Sequence, residues 1–222
     1  MQANRKTCLI IVDLQVDFCP GGSLEVKNGD DIIPVVNKIQ DRFYRVVATQ
    51  DWHPENHVSF YTSHPGKNPF ETINIGNIKQ VLWPPHCIMG TSGADFHPKL
   101  DTRNVELIIR KGFSKDLDSY SGFFENDRKT PTGLEFYLKG LEINEIYICG
   151  LALDVCVFYT AMDGVKLGFK TYVIEDASKG VDIPPGNIEN TKRKMRENGC
   201  LLYTSDAADE LDGVDLGGRR II

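Results

Sequence analysis

The chain has 222 residues, 41% of them hydrophobic, and a formal charge of −6 with no basic cluster. That size buries one sizeable core, so a single domain over residues 1–204 is expected, and the dispersed negative charge argues against a nucleic-acid partner. The polar start Met1 to Thr7 and the short apolar run after it fit neither a signal segment nor a membrane span, and six cysteines without a CxxC pair read as reduced thiols; a cytoplasmic protein without membrane contact is the expectation.

The first predicted strand is Cys8 to Val12 (CLIIV), and Asp13 follows it. Ile32, Val35, Val36, Ile39 and Phe43 then recur at helical spacing. A second strand, Arg45 to Ala48, leads to Asp51, and a third, Val105 to Ile109, leads to Lys111. After the fourth, Ile146 to Cys149, Gly150 marks a turn, and Cys156 precedes a helical face of Phe158, Met162 and Val165. Strands at Thr171 to Ile174 and Cys200 to Tyr203 flank a helix around Arg193 to Glu197. Apolar, β-branched runs alternating with helices predict an α/β fold, three layers α/β/α around a six-stranded parallel sheet.

Ligands of such sheets bind beyond the carboxyl ends of the strands, where Asp13, Asp51, Lys111 and Cys156 fall. Each alone is equally explained as a cap, a solvated charge or a core thiol; their coincidence at one edge is the signal. Within the first turn of a helix, the Cys156 thiol would feel the positive end of the dipole, which favours thiolate. A thiol attacking an amide also needs a base, and no histidine follows a strand near Cys156. Asp13, desolvated at the tip of a central strand, is the available base, and Lys111 could steady both a carboxylate and a developing oxyanion.

A second constellation is QDWHPENHVSF with WPPHC, offering Asp51, His53, His57 and His86. In an Asp-x-His pair at a strand end both side chains project to one face. One carboxylate with two imidazoles suits a divalent ion, zinc foremost, with Fe(II) or Mn(II) as the other fits. His57 reads as a supporting or hydrogen-bonded loop histidine, and His64 and His97 as surface loop residues. Phe18, Trp83 and Tyr120, in loops beside the strand tips, are placed to stack on a small aromatic substrate.

Five ordered segments, IIVDLQVDFCPGGSL, ATQDWHPENHVSF, LWPPHC, RKGFSKDLDSYSGFF and GLALDVCVFYTAMDG, together resemble the nicotinamidases among the isochorismatase-like cysteine hydrolases, over nearly the whole chain from Cys8 to Tyr203. The resemblance implies Asp13 as base, Lys111 as its positive partner and Cys156 as nucleophile, with Asp51, His53 and His86 as metal ligands. It implies an oxyanion hole from the N–H groups of Ala152 and Cys156, and a non-proline cis bond between Leu151 and Ala152. It further implies nicotinamide as substrate, its pyridine nitrogen on the metal, with nicotinate and ammonia as products. Ser59 and His57 are local candidates to complete the metal shell.

A sister hydrolase acting on an isochorismate-like or carbamoyl substrate fits less well, since many such relatives lack the metal site. A silent scaffold protein predicts a lost nucleophile, whereas Cys156, Asp13 and Lys111 are all present. Homo-oligomers are common for such folds, and the oligomeric state stays open. The segment Ser205 to Ile222, with five acidic and two basic residues and no period, reads as a mobile or foreign tail without function.

Overall fold

The computed structural model describes residues 5–205, so all of the Ser205–Ile222 tail but its first residue lies outside the described part. Six parallel strands form the central sheet: β1 (Thr7–Val12), β2 (Arg45–Asp51), β5 (Leu107–Lys111), β6 (Glu145–Leu151), β7 (Lys170–Lys179) and β8 (Leu201–Tyr203), ordered β5-β2-β1-β6-β7-β8. All six residues of β1 are buried, as expected of a strand covered on both faces. Leu9 and Ile11 pack with Ile33, Val36 and Ile39 of α1 (Ile33–Ile39). On the other face Cys8, Ile10 and Val12 meet α2 (Leu134–Gly140), α3 (Phe158–Lys166) and α4 (Asn187–Glu197) through Leu138, Met162 and Met195. Period-two alternation thus divides one strand between two helical layers.

From β1 the chain runs outward through β2 to β5, then returns to the opposite flank of β1 as β6. This reversal opens a crevice at the tips of β1 and β6. Gly150 lets the two strands close up there: its φ is +117°, and a Cβ would lie 2.1 Å from the Val12 carbonyl oxygen. The Leu151–Ala152 peptide is cis, as the resemblance implies.

Several boundaries differ from the sequence reading. Val105 is tied into a turn by Thr102, so β5 starts at Leu107. Phe43 lies past α1 in extended backbone and packs on Tyr147 instead of continuing the helical face. Helix α2 and an antiparallel hairpin, β3 (Thr72–Ile75) with β4 (Ile78–Val81), were not expected. All six cysteines are free, and no described helix is long and apolar enough to cross a membrane.

Candidate active site

Asp51 and Lys111, the last residues of β2 and β5, are register partners on neighbouring strands. Asp13 follows β1 on the other side of β2, its backbone at φ +46° and its N–H directed to Thr49. Lys111 is fully buried. Its ammonium donates to Asp51 Oδ1, to the Ser119 carbonyl at 3.1 Å and to Cys156 Sγ at 3.7 Å. Asp13 Oδ2 forms an ion pair with the same nitrogen at 2.8 Å, while Oδ1 accepts the Thr49 hydroxyl at 2.6 Å. A carboxylate oxygen has more than one lone pair, so Asp13 can still receive a proton from the thiol, which lies within 4.8 Å of it.

Burial raises the Asp13 carboxyl to about 6, with Lys111 opposing and Asp51 reinforcing the rise. Burial would lower Lys111, but Asp13 and Asp51 outweigh it and hold the ammonium charged. The thiol departs from expectation. Cys156 lies in a π-type turn, Leu153–Val157, leading into α3, and burial together with Asp13 and Asp51 lifts its pKa well above the usual thiol value against the pull of Lys111. Desolvation and two neighbouring carboxylates thus outweigh the helix start, and the resting group is a thiol that must hand on its proton.

Beside this group, Asp51 Oδ2 lies 3.6 Å from His53 Nε2 and 3.9 Å from His86 Nε2. His53 Nδ1 is 2.7 Å from the Gly112 carbonyl, and His86 Nδ1 is 2.8 Å from the Pro84 carbonyl. A carbonyl only accepts, so each Nδ1 carries a proton, and the two Nε2 atoms are the nitrogens turned towards the same carboxylate, open to a cation once they carry no proton. Three converging donors of this kind fit a divalent cation. Burial holds His86 down at about 4, while Lys111 and His53 overcome burial to keep Asp51 below the usual carboxylate range. His57 stacks on His53 at 4.3 Å, with Nδ1 2.7 Å from Ser59 Oγ and Nε2 3.2 Å from the Leu117 carbonyl. Both its nitrogens are engaged, and with His53 and Asp118 it also forms a second group of donors within 4.8 Å of one another. His64 and His97 are half-buried rather than fully exposed.

Phe18, Trp83 and Tyr120 line one cleft with Asp51, His53, His86, Ala152 and Cys156, about 460 Å³ out to its open mouth. The isochorismatase domain model matches residues 7–206. The chain belongs to the isochorismatase family. Within it, the nicotinamidase of Acinetobacter baylyi is 49% identical over 204 residues, 92% of this chain and 94% of that one. The structure of an Acinetobacter baumanii nicotinamidase pyrazinamidease superposes with a TM-score of 0.91 at 49% identity, covering 93% of this chain and all of that one. The pyrazinamidase of Pyrococcus horikoshii in complex with zinc gives 0.73 at 37% identity, covering 90% and 99%.

Other residues of this isochorismatase-family site carried no signal that the sequence reading used. Thr49 orients Asp13 from the middle of β2. Gln15 exchanges two hydrogen bonds with the Asp51 backbone, both 2.8 Å, and so ties the loop after β1 to the tip of β2. Asp118 lines the cleft and is buried. Its place in the DLDSY segment after β5 was the available hint.

Proposed function

We propose that the chain hydrolyses nicotinamide to nicotinate and ammonia through a thioester on Cys156. The observation that carries this reading is the Cys156 thiol meeting Asp13 and Lys111 in an aromatic cleft beside Asp51, His53 and His86. The similarity to nicotinamidases supports the choice of substrate, and the zinc-bound relative supports zinc. The six free thiols fit a cytoplasmic site of action, and residues 1–204 would form the one catalytic domain.

In the first half-reaction the thiol proton passes to Asp13 Oδ2 as sulfur bonds to the carboxamide carbon. The oxygen that gains charge is received by the N–H groups of Ala152 and Cys156, with the Lys111 ammonium close by. The C–N bond then breaks, and Asp13 returns its proton to the leaving nitrogen, which departs as ammonia. In the second half-reaction Asp13 takes a proton from water as its oxygen attacks the thioester carbon; the C–S bond breaks, the thiolate recovers that proton, and the carboxylic acid leaves, giving its own proton to solvent to become nicotinate. A divalent cation held by Asp51, His53 and His86 would supply a Lewis-acid site for the pyridine nitrogen. Phe18, Trp83 and Tyr120 would stack on the ring.

Ammonia release from nicotinamide by zinc-loaded protein tests the reading, with Cys156→Ala as control. Release that the substitution lowers by about 10⁴-fold or more is expected. No release from the wild type, or equal release from the variant, overturns the reading.

A further inference from the structure

The β3–β4 hairpin stands apart from the main sheet, and its residues are exposed or half-buried at every position but one. That one is Gln80, and a buried amide is tolerated only when its hydrogen bonds are met. Gln80 Nε2 lies 2.7 Å from Asp118 Oδ2, 3.1 Å from Tyr120 Oη and 2.8 Å from the Val81 carbonyl, and Oε1 faces Asn126 Nδ2 at 3.5 Å. Asn126 closes the cluster: its Oδ1 accepts the Tyr120 N–H at 3.1 Å, and its own N–H donates to the Asp118 carbonyl at 2.7 Å. Trp83, two residues past β4, donates its indole N–H to Tyr120 Oη at 3.1 Å, the two rings standing edge to face. Gln80 does not line the cleft; Asp118, Tyr120 and Trp83 do.

We infer that Gln80 is a specificity-setting positioning residue, whose amide locks Asp118 and Tyr120, and through Tyr120 also Trp83, into the wall that holds one planar aromatic ring. This rests on the deamidation reading above. Two segments separated by some forty residues of chain are joined here by these hydrogen bonds and by the Trp83–Tyr120 ring contact, so the shape of the ring site depends in part on an amide outside it. No hydrogen bond among the described residues joins Gln80 or Asn126 directly to Cys156, Asp13 or Lys111; Asp118 reaches Lys111 only through Ser119, whose N–H it accepts at 2.8 Å and whose carbonyl accepts from the ammonium, so the reacting group is expected to keep its place when the Gln80 amide is removed.

Gln80→Leu keeps the size of the side chain and removes the amide. With nicotinamide as substrate, KM is expected to rise about tenfold while kcat stays within about twofold, as for an interaction that serves binding alone. The Kd of nicotinate, followed by tryptophan fluorescence, rises by the same factor without depending on turnover. Gln80→Glu sets two carboxylates against each other and raises KM further; adding Asp118→Asn exchanges donor and acceptor and brings KM back towards the wild-type value. Unchanged KM and Kd in Gln80→Leu, or a fall in kcat at constant KM, overturns the inference and leaves the deamidation standing. A wild type inactive on nicotinamide overturns both. Should Gln80→Leu not fold, the Gln80→Glu pair decides, and no recovery on adding Asp118→Asn overturns the inference.

Discussion

Lys111 holds the site together at the residue scale, because one buried ammonium serves Asp13, Asp51 and the Cys156 sulfur at once. Lys111→Met would leave two buried carboxylates without their cation, and a loss of about 3–5 kcal/mol is expected in urea unfolding. Asp13 gives the pH dependence. Its carboxyl is raised to about 6 and must be ionised to take the thiol proton, so kcat/KM should hold above that pH and fall about tenfold per unit below it. Asp13→Asn should remove that limb and cost about 10²–10⁴-fold in kcat. Gly112 acts on the metal side: at φ +62° a Cβ would lie 2.4 Å from His53 Cε1, and its carbonyl fixes that ring. Gly112→Ala should weaken metal binding by about 10–100-fold in competition with a chelator, as loss of a ligand's orienting partner does. Of these residues Lys111 and Asp13 were legible because they fall at the carboxyl ends of apolar strands, where ligands of such sheets bind. Gly112 was not, since a lone glycine after a strand says nothing of the ring it must clear.

At the scale of elements, apolar runs located all six strands of the main sheet: β1, β2, β6 and β7 are largely buried on both faces and read as unbroken hydrophobic segments, while β5 and β8, at the edges, were found on short apolar runs that leave Ile108 and Leu201 exposed. Where burial is one-sided or partial, the signal fades. The β3–β4 hairpin is short and largely exposed, whereas α2 does carry a helical period, Leu134, Tyr137, Leu138 and Leu141 all packing on the core, which the sequence reading did not use. The same limit hid Gln80 and Asp118: a polar residue at a buried position looks like any surface polar residue until its partners are known. The helix-start argument located Cys156 yet misjudged its protonation, because the carboxylates that raise the thiol come from β1 and β2, far off in sequence. Gly150 is the joint between β6 and β1. Gly150→Ala forces a Cβ against the Val12 carbonyl at an unfavourable φ, and a loss of about 3 kcal/mol or more is expected in thermal or denaturant unfolding.

For the whole molecule, the reversal of chain direction beside β1 gathers groups from four strand ends into one cleft, and it gathers their charge too. Asp13 and Asp51 share a single buried ammonium and Asp118 is buried in the wall of the same cleft, an excess of acidic groups that a divalent cation would balance. Zinc should therefore raise the free energy of unfolding by about 2.7 kcal/mol at a hundredfold excess over Kd, shifting the midpoint upward, and Asp51→Asn should abolish the gain. The most direct measurement is rapid acid quench during turnover of nicotinamide, followed by mass spectrometry of the peptide that carries Cys156. A nicotinoyl thioester on Cys156, absent from Cys156→Ala, is the expected result; steady turnover in the Cys156→Ala protein, or the acyl group on any other residue, would contradict it.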